Sequence, residues 1–85
     1  MDLEYLILQY FHDFGDANNL FWMAQDEPFA SLLASGEIKR LDITQALQKA
    51  RDAGYLEHRG LKKGTVYRLV PKGEARLQQL KSDRR

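Results

Sequence analysis

The side chains of this 85-residue chain that could bind an oppositely charged partner are its lysines and arginines, and they are unevenly distributed. Residues 1–36 contain six acidic residues and no Lys or Arg, which gives a formal charge of −6. Residues 37–85 contain thirteen basic and six acidic residues, which gives +7 and leaves a net charge of +1. Such a split between halves is the electrostatic footprint of proteins that bind a polyanion. The alternative is that these basic residues only solvate the surface of a helix and a hairpin.

Residue types and their spacing disfavour catalytic and metal-binding chemistry. The chain has no cysteine, so neither a disulfide nor a thiolate metal site can form, and its two histidines, His12 and His58, are isolated. Its three serines, Ser31, Ser35 and Ser82, lack the context of a nucleophile, and its carboxylates lack metal-ligand spacing. We therefore expect no enzyme activity, no cofactor and no metal.

Length and composition predict one folded domain over residues 1–85, because 44% of the residues are apolar and only two are prolines. The apolar N-terminus, MDLEYLILQYF, begins with acidic residues and is too short to span a bilayer. It is predicted to be a core helix, and not a signal peptide or a membrane span. The cytoplasm is the expected compartment.

Helical spacing and terminal residues predict three helices in the first half of the chain. Residues 2–14 carry apolar side chains at helical intervals, and Gly15 is the predicted end of that helix. A further helix is predicted from Pro28 to Gly36, because proline suits a first helical turn and glycine follows a last one. A short helix capped by Asp16 is predicted between them.

The second half of the chain predicts a helix, a β-hairpin and a last helix. Asp42 followed three residues later by Gln45 is a capping-box pattern, which opens a helix over residues 42–53. Gly54 suits the left-handed position that closes such a helix. The strands YLEHR and TVYRLV, joined by GLKKG, predict a hairpin within residues 55–70. The fold class is therefore mainly α with a small β-hairpin.

Two stretches of this half, DITQALQKARDAGYLEHRG and GTVYRLVPKGEARL, resemble the winged helix-turn-helix of bacterial and phage transcription regulators. In that family a recognition helix ends in a small residue and glycine, here Ala53 and Gly54, and runs directly into a hairpin called the wing. The multiple-antibiotic-resistance-type and PadR-type regulators are examples. The resemblance covers residues 28–80, with residues 3–14 as the usual first helix, and it implies a winged helix-turn-helix fold.

The resemblance also implies sequence-specific binding of double-stranded DNA, with helix 42–53 in the major groove and residues 55–70 on the backbone or in the minor groove. By position it makes four residues of the helix candidate DNA contacts: Thr44, Gln45 and Gln48 as base readers, and Lys49 on the backbone. A glutamine amide can bond adenine bidentately. One alternative stays open, because Gln45 is not free to read DNA if its amide closes the capping box to Asp42.

Cations beside the helix and on the wing are candidate phosphate contacts. They are Lys39 and Arg40 before the helix, and Arg59, Lys62, Lys63 and Arg68 in the hairpin. Three or four cations on a ribbon match a wing that follows a phosphate ridge or enters the minor groove. The alternative is an ordinary solvated hairpin, whose lysines prevent edge-to-edge pairing.

A domain this small is expected to dimerise in order to read enough DNA, so we expect a homodimeric transcriptional regulator. The acidic N-terminal third, with Phe21, Trp22 and Met23, is the candidate dimer contact, although such residues are more often core. Two other functions stay open. One is a winged-helix adaptor that binds an acidic protein, and the other is RNA binding, for which Tyr55 and Tyr67 offer little stacking surface.

Overall fold

The computed structural model describes residues 2–14, 23–61 and 64–83. Four helices and a two-stranded antiparallel sheet follow one another along these residues: α1 Leu3–Phe14, α2 Phe29–Ser35, α3 Arg40–Asp52, β1 Leu56–Leu61, β2 Gly64–Leu69 and α4 Pro71–Asp83. The predicted class, mainly α with a small β-hairpin, is confirmed.

Helix α1 lies at the centre of the core, where it packs against α3, α4 and β2. Its residues Ile7, Leu8, Tyr10 and Phe11 are all buried, so the helix is apolar over a wide arc, as its sequence spacing predicted. The other helices contribute one or two fully buried side chains each, which are Phe29 from α2, Ile43 and Leu47 from α3, and Leu77 from α4. Truncating one of the fully buried Leu or Ile residues to Ala is expected to cost about 2–5 kcal/mol.

The segment before α2 is bound to α1 through a buried hydroxyl. Tyr10 donates a hydrogen bond from its hydroxyl to Asp26 Oδ2 at 2.7 Å, and its ring meets Phe29 edge-on with 5.6 Å between centroids. Burial raises the pKa of Tyr10 above its ordinary value, and the hydrogen bond and negative charge of Asp26 raise it further. The hydrogen bond therefore joins α1 to the segment that precedes α2.

Helix α2 ends where the sequence predicted. Gly36 has φ +82° and donates its N–H to the Leu33 carbonyl at 3.2 Å, which is the left-handed ending that glycine reaches without strain. At the other end Pro28 occupies the N-cap, and the helix itself begins at Phe29. The predicted helix end at Gly15 and the predicted cap at Asp16 lie outside the described residues.

Helix α3 begins earlier than predicted, at Arg40, so the predicted range of 42–53 is wrong by two residues at its start and one at its end. The N-cap is Lys39, whose backbone is extended, and Asp42 is the third helical residue. Asp42 Oδ2 accepts a hydrogen bond from the Lys39 N–H at 2.8 Å. A carboxylate at this position satisfies a free backbone donor, and its negative charge interacts favourably with the positive end of the helix dipole. Asp42 therefore supplies the acidic member of the box, and Gln45 has no part in it.

The end of α3 confirms the predicted role of Gly54. This residue has φ +84°, and its N–H bonds the Arg51 carbonyl at 2.9 Å, while the Tyr55 N–H bonds the Ala50 carbonyl at 2.9 Å. This pair of hydrogen bonds is the Schellman motif, which reverses the chain at a helix end. Gly54 therefore determines the direction in which β1 leaves α3.

The hairpin pairs Leu56 with Leu69, and its register alternates the side chains between two faces. The face with Leu56 and Tyr67 turns toward α1, since Leu56 is buried and the ring centroid of Tyr67 lies 6.4 Å from that of Phe11. The opposite face carries Glu57, Arg59, Val66 and Arg68. The wing predicted over residues 55–70 thus contains two strands, with one face in the core and one in solvent.

Candidate nucleic-acid interface

Four exposed side chains form what we call the outward ridge of α3: Leu41, Gln45, Gln48 and Asp52. They recur at intervals of four, three and four residues, so they lie on one side of the helix. The opposite side is buried through Ile43, Leu47 and Ala50. The helix is therefore anchored along its whole length, and the outward ridge lies at the middle of its exposed side, with Arg40, Asp42 and Lys49 exposed beside it.

The two glutamines of the outward ridge are both exposed. The alternative that Gln45 closes the capping box is wrong, because Asp42 Oδ2 accepts the hydrogen bond from the Lys39 N–H. Each amide offers one acceptor and two donors, which is the set needed to bond a base edge bidentately. The outward ridge thus presents two glutamine amides about one helical turn apart.

Thr44 differs from the glutamines, because it is only partly exposed and its hydroxyl is used within the helix. Thr44 Oγ1 donates a hydrogen bond to the Arg40 carbonyl at 3.2 Å. Such back-bonding is common for threonine inside helices. What remains available to a partner is the methyl group and an oxygen lone pair.

The outward ridge ends in a carboxylate that already has a cationic partner. Asp52 Oδ1 lies 3.2 Å from Arg51 Nη2, so the charges of the last helical turn largely cancel. At the opposite end of the helix, Lys39 and Arg40 are exposed beside the positive end of the helix dipole. Lys39 and Arg40 are therefore the exposed cations nearest the positive start of the helix, with Asp42 in the same turn.

Lys49 lies beside the outward ridge, on the side of α3 that borders an open groove of about 730 Å³. The groove is lined by Leu3, Glu4, Glu37, Ile38, Asp42, Gln45, Ala46, Lys49, Ala50, Ala53 and Tyr55. Glu4 is paired with Arg76, so Glu37 and Asp42 share the lining with one ammonium and leave this side of α3 slightly acidic. Lys49 is consequently the weakest of the predicted phosphate contacts on the helix.

The outer face of the hairpin carries two of the predicted phosphate contacts, Arg59 and Arg68. Arg68 Nε lies 3.3 Å from Glu57 Oε1 across the ladder, and both side chains are more than half exposed. An exposed pair of this kind contributes only about 0–1 kcal/mol, so exchanging the carboxylate for a phosphate costs little. Arg59 is exposed and faces Val66 across the ladder. The predicted contacts Lys62 and Lys63 lie outside the described residues.

The root of the hairpin is held by cations that sequence inspection did not single out. Arg76 binds the Glu4 carboxylate through Nη2 at 3.0 Å and Nε at 3.3 Å, and this hydrogen bonding raises the pKa of Arg76. The Arg76 Cζ and the Lys72 Nζ lie 6.0 and 5.8 Å from the centre of the Tyr55 ring. These two cations stabilise the junction between α1, α4 and the hairpin, and they lie apart from the outward ridge.

Leu41 is the ridge residue that the sequence analysis missed. Its side chain is 62% exposed, which is unusual for a large apolar residue in this structure. It was overlooked because the helix was predicted to start at Asp42. The available signal was the spacing of Leu41, Gln45 and Gln48, which share one helical face once the helix includes residue 41.

The residue predicted for a dimer contact that the structure describes is a core residue. Met23 is fully buried at 0% exposure, so it has no surface to offer a second copy. Phe21 and Trp22 lie outside the described residues. The side chains that the structure does describe at the N-terminus, including Tyr5 and Leu6, pack partly against the core.

Both histidines are exposed, and each lies beside one neighbouring side chain in the described part of the chain. His12 Nδ1 is 3.1 Å from Glu74 Oε2 on the surface, and His58 lies beside the Tyr67 ring with 6.2 Å between centroids. The described part of the chain contains no group of three or more His, Asp or Glu residues arranged to hold a metal ion. Within residues 2–14, 23–61 and 64–83, no helix has the length and apolarity needed to cross a membrane.

Comparisons of this chain with protein-family models, with curated proteins and with solved structures found no match.

Proposed function

We propose that this protein is a winged helix-turn-helix protein that binds specific sites in double-stranded DNA, with α3 as the recognition helix and the hairpin as the wing. The observation that carries the proposal is the outward ridge of α3. It combines two free amides with cations at the N-terminal end, and Gly54 connects it directly to a hairpin with cations on its outer face. A helix of this kind fits the major groove, where its N-terminal residues meet base edges.

The proposal divides the contacts into two classes. Gln45 and Gln48 read bases, because only groups that bond base edges distinguish one sequence from another. Lys39 and Arg40 bind phosphates beside the groove, and their charge supplies affinity without sequence information. On the wing, Arg59 and Arg68 bind the backbone, with Lys62 and Lys63 expected to add to them.

A regulatory role, dimerisation and a cytoplasmic location complete the proposal. A helix of 13 residues reads only a short half-site, so a second copy is needed for useful specificity. Since Met23 is buried, that contact must use other surface. A prokaryotic or phage regulator acts where the chromosome is, which is the cytoplasm.

The test is a salt titration of binding to duplex DNA, followed by fluorescence anisotropy and repeated with a hairpin RNA and with heparin. We expect Lys39→Ala combined with Arg40→Ala to weaken binding to every duplex and to lower the salt slope by about two, because each lost phosphate contact releases about 0.9 fewer counterions. Lys81→Ala, at an exposed position near the end of α4, is the matched control and should leave the slope unchanged.

A slope that stays the same in the double variant would remove the N-terminus of α3 from the interface. Equal affinity for heparin and duplex DNA would reduce the activity to nonspecific polyanion binding. Preference for the hairpin RNA would favour the RNA alternative.

The second candidate function is a protein-interaction adaptor, and one observation favours it. Leu41 exposes 62% of its side chain on the same ridge as the glutamines, and an apolar side chain there is available to pack against a partner protein. An adaptor would bind duplex DNA no better than bovine serum albumin does. Measuring the salt-dependent affinity therefore separates the two functions.

A further inference from the structure

The three residues of the outward ridge nearest the start of α3 have side chains of types that limit which base pairs the helix can read. Leu41, Gln45 and Gln48 follow one another along a single face, and the distance from the first to the last is about 10 Å at 1.5 Å per residue. That length matches about three stacked base pairs at about 3.4 Å each. One side chain is therefore available for each of three successive pairs, and this argument rests on the proposed function.

Each of these side chains matches an A·T pair in the major groove. A glutamine amide bonds adenine through N6 and N7, and an apolar side chain contacts the 5-methyl group of thymine. Guanine is read by arginine or lysine, and none of the three is a cation. Of the cations elsewhere on α3, Arg40 is assigned above to a phosphate, Arg51 is paired with Asp52 at 3.2 Å and Lys49 shares its groove with carboxylates.

The exposure of Leu41 indicates which base pair the first turn of α3 contacts. At 62% exposure the side chain is not needed for the core, yet its position in the first turn of α3 is where base contacts are made. We infer that α3 selects A·T base pairs, that Gln45 and Gln48 bond adenines, and that Leu41 packs on the methyl group of a thymine.

The experiment starts with selection of bound duplexes from a pool with a random centre, using the full chain. Each thymine of the selected consensus is then replaced singly by deoxyuridine, which removes only the methyl group. We expect an A·T-rich consensus and one thymine whose replacement weakens binding about fourfold, which corresponds to the ~0.8 kcal/mol of one buried methyl group.

Protein variants assign that loss to a side chain. Leu41→Ala should bind the thymine and uracil duplexes equally, whereas Leu41→Met, which keeps an apolar group, should retain a preference for thymine. Gln48→Ala should lose about tenfold or more on the consensus and little on random duplexes, because a bidentate base contact is lost. Gln78→Ala, an exposed glutamine in the middle of α4, is its matched control and should bind as the parent does.

The outcomes separate this inference from the proposed function. A G·C-rich consensus, or no thymine whose replacement weakens binding of the unaltered protein, overturns the inference while duplex binding itself still stands. An equal uracil penalty in the parent and in Leu41→Ala removes Leu41 from the contact. If no duplex is enriched and none is bound, the inference and the proposed function fail together.

Discussion

Substituting Gly73 by alanine tests the packing that holds the hairpin in place. Gly73 is the third residue of α4 and lies buried against the root of the hairpin. A Cβ atom there would overlap the carbonyl oxygen of Tyr55 and would lie 2.5 Å from Leu69 Cδ1 and 3.0 Å from the Tyr55 carbonyl carbon. Since two of these three atoms belong to the backbone, a side-chain rotation cannot relieve the overlap.

The expected magnitude follows from opposing contributions. Alanine is the better helix former by about 1 kcal/mol, so helical propensity alone predicts a more stable protein. Overpacking a filled site costs about 1–3 kcal/mol and occasionally more. The Tyr55 carbonyl also accepts the Val70 N–H at 3.2 Å, and weakening this bond costs about 0.5–1.5 kcal/mol. We expect a net loss of about 2 kcal/mol.

The assay is thermal unfolding followed by far-ultraviolet circular dichroism. A loss of about 2 kcal/mol corresponds to a fall in Tm of about 8–16 °C for a domain of this size. Gly60→Ala is the matched control, because no atom lies within 4 Å of the site where its Cβ would be. The control should melt close to the parent. If Gly73→Ala melts as high as the parent or higher, propensity outweighs packing and α4 does not lie as close to Tyr55 as described.

Two further predictions concern the helix ends and the buried hydroxyl. Gly54→Val should cost about 1–3 kcal/mol, because a β-branched residue is strained at φ +84°, and it should weaken DNA binding by misdirecting the wing. Gly36→Val, at φ +82°, carries the same backbone cost away from the hairpin, so equal loss of binding in both would contradict a special role for Gly54. Tyr10→Phe should remove stability that is present below about pH 10 and is lost above it, because the raised pKa of Tyr10 lets only the unfolded chain ionise there. Chemical denaturation at pH 9 and pH 11 should show the parent losing about 1.4 kcal/mol more than the variant does over that range, and identical pH profiles would show that Tyr10 ionises equally in both states.

The sequence alone predicted the elements whose signals are local. The spacing of apolar residues in α1, the glycine ends at Gly36 and Gly54, and the alternation in the hairpin each depend on residues within a few positions of one another. The DNA contacts assigned from the resemblance stay predictions.

The predicted start of α3 was wrong, and the reason is also local. Asp42 can serve a helix as its N-cap or as its third residue, since a carboxylate reaches a free backbone N–H from both positions. The hydrogen bond that Asp42 accepts from the Lys39 N–H at 2.8 Å shows that Asp42 is the third helical residue. Because the helix starts two residues earlier, Leu41 lies in α3 and shares the outward ridge with Gln45 and Gln48.

Only the tertiary structure decided which of the charged residues remain available to a partner. The sequence contains thirteen Lys and Arg residues, but Arg76 is bound to Glu4, which lies far away in the sequence, whereas Arg68 meets Glu57 through the strand register in an exposed pair that leaves it available. Gly73 likewise reads as an ordinary helix residue until the carbonyl of Tyr55 is found where its side chain would lie. These relationships join residues distant along the chain. No local pattern encodes them, because they arise only when α1, α4 and the hairpin pack around one core.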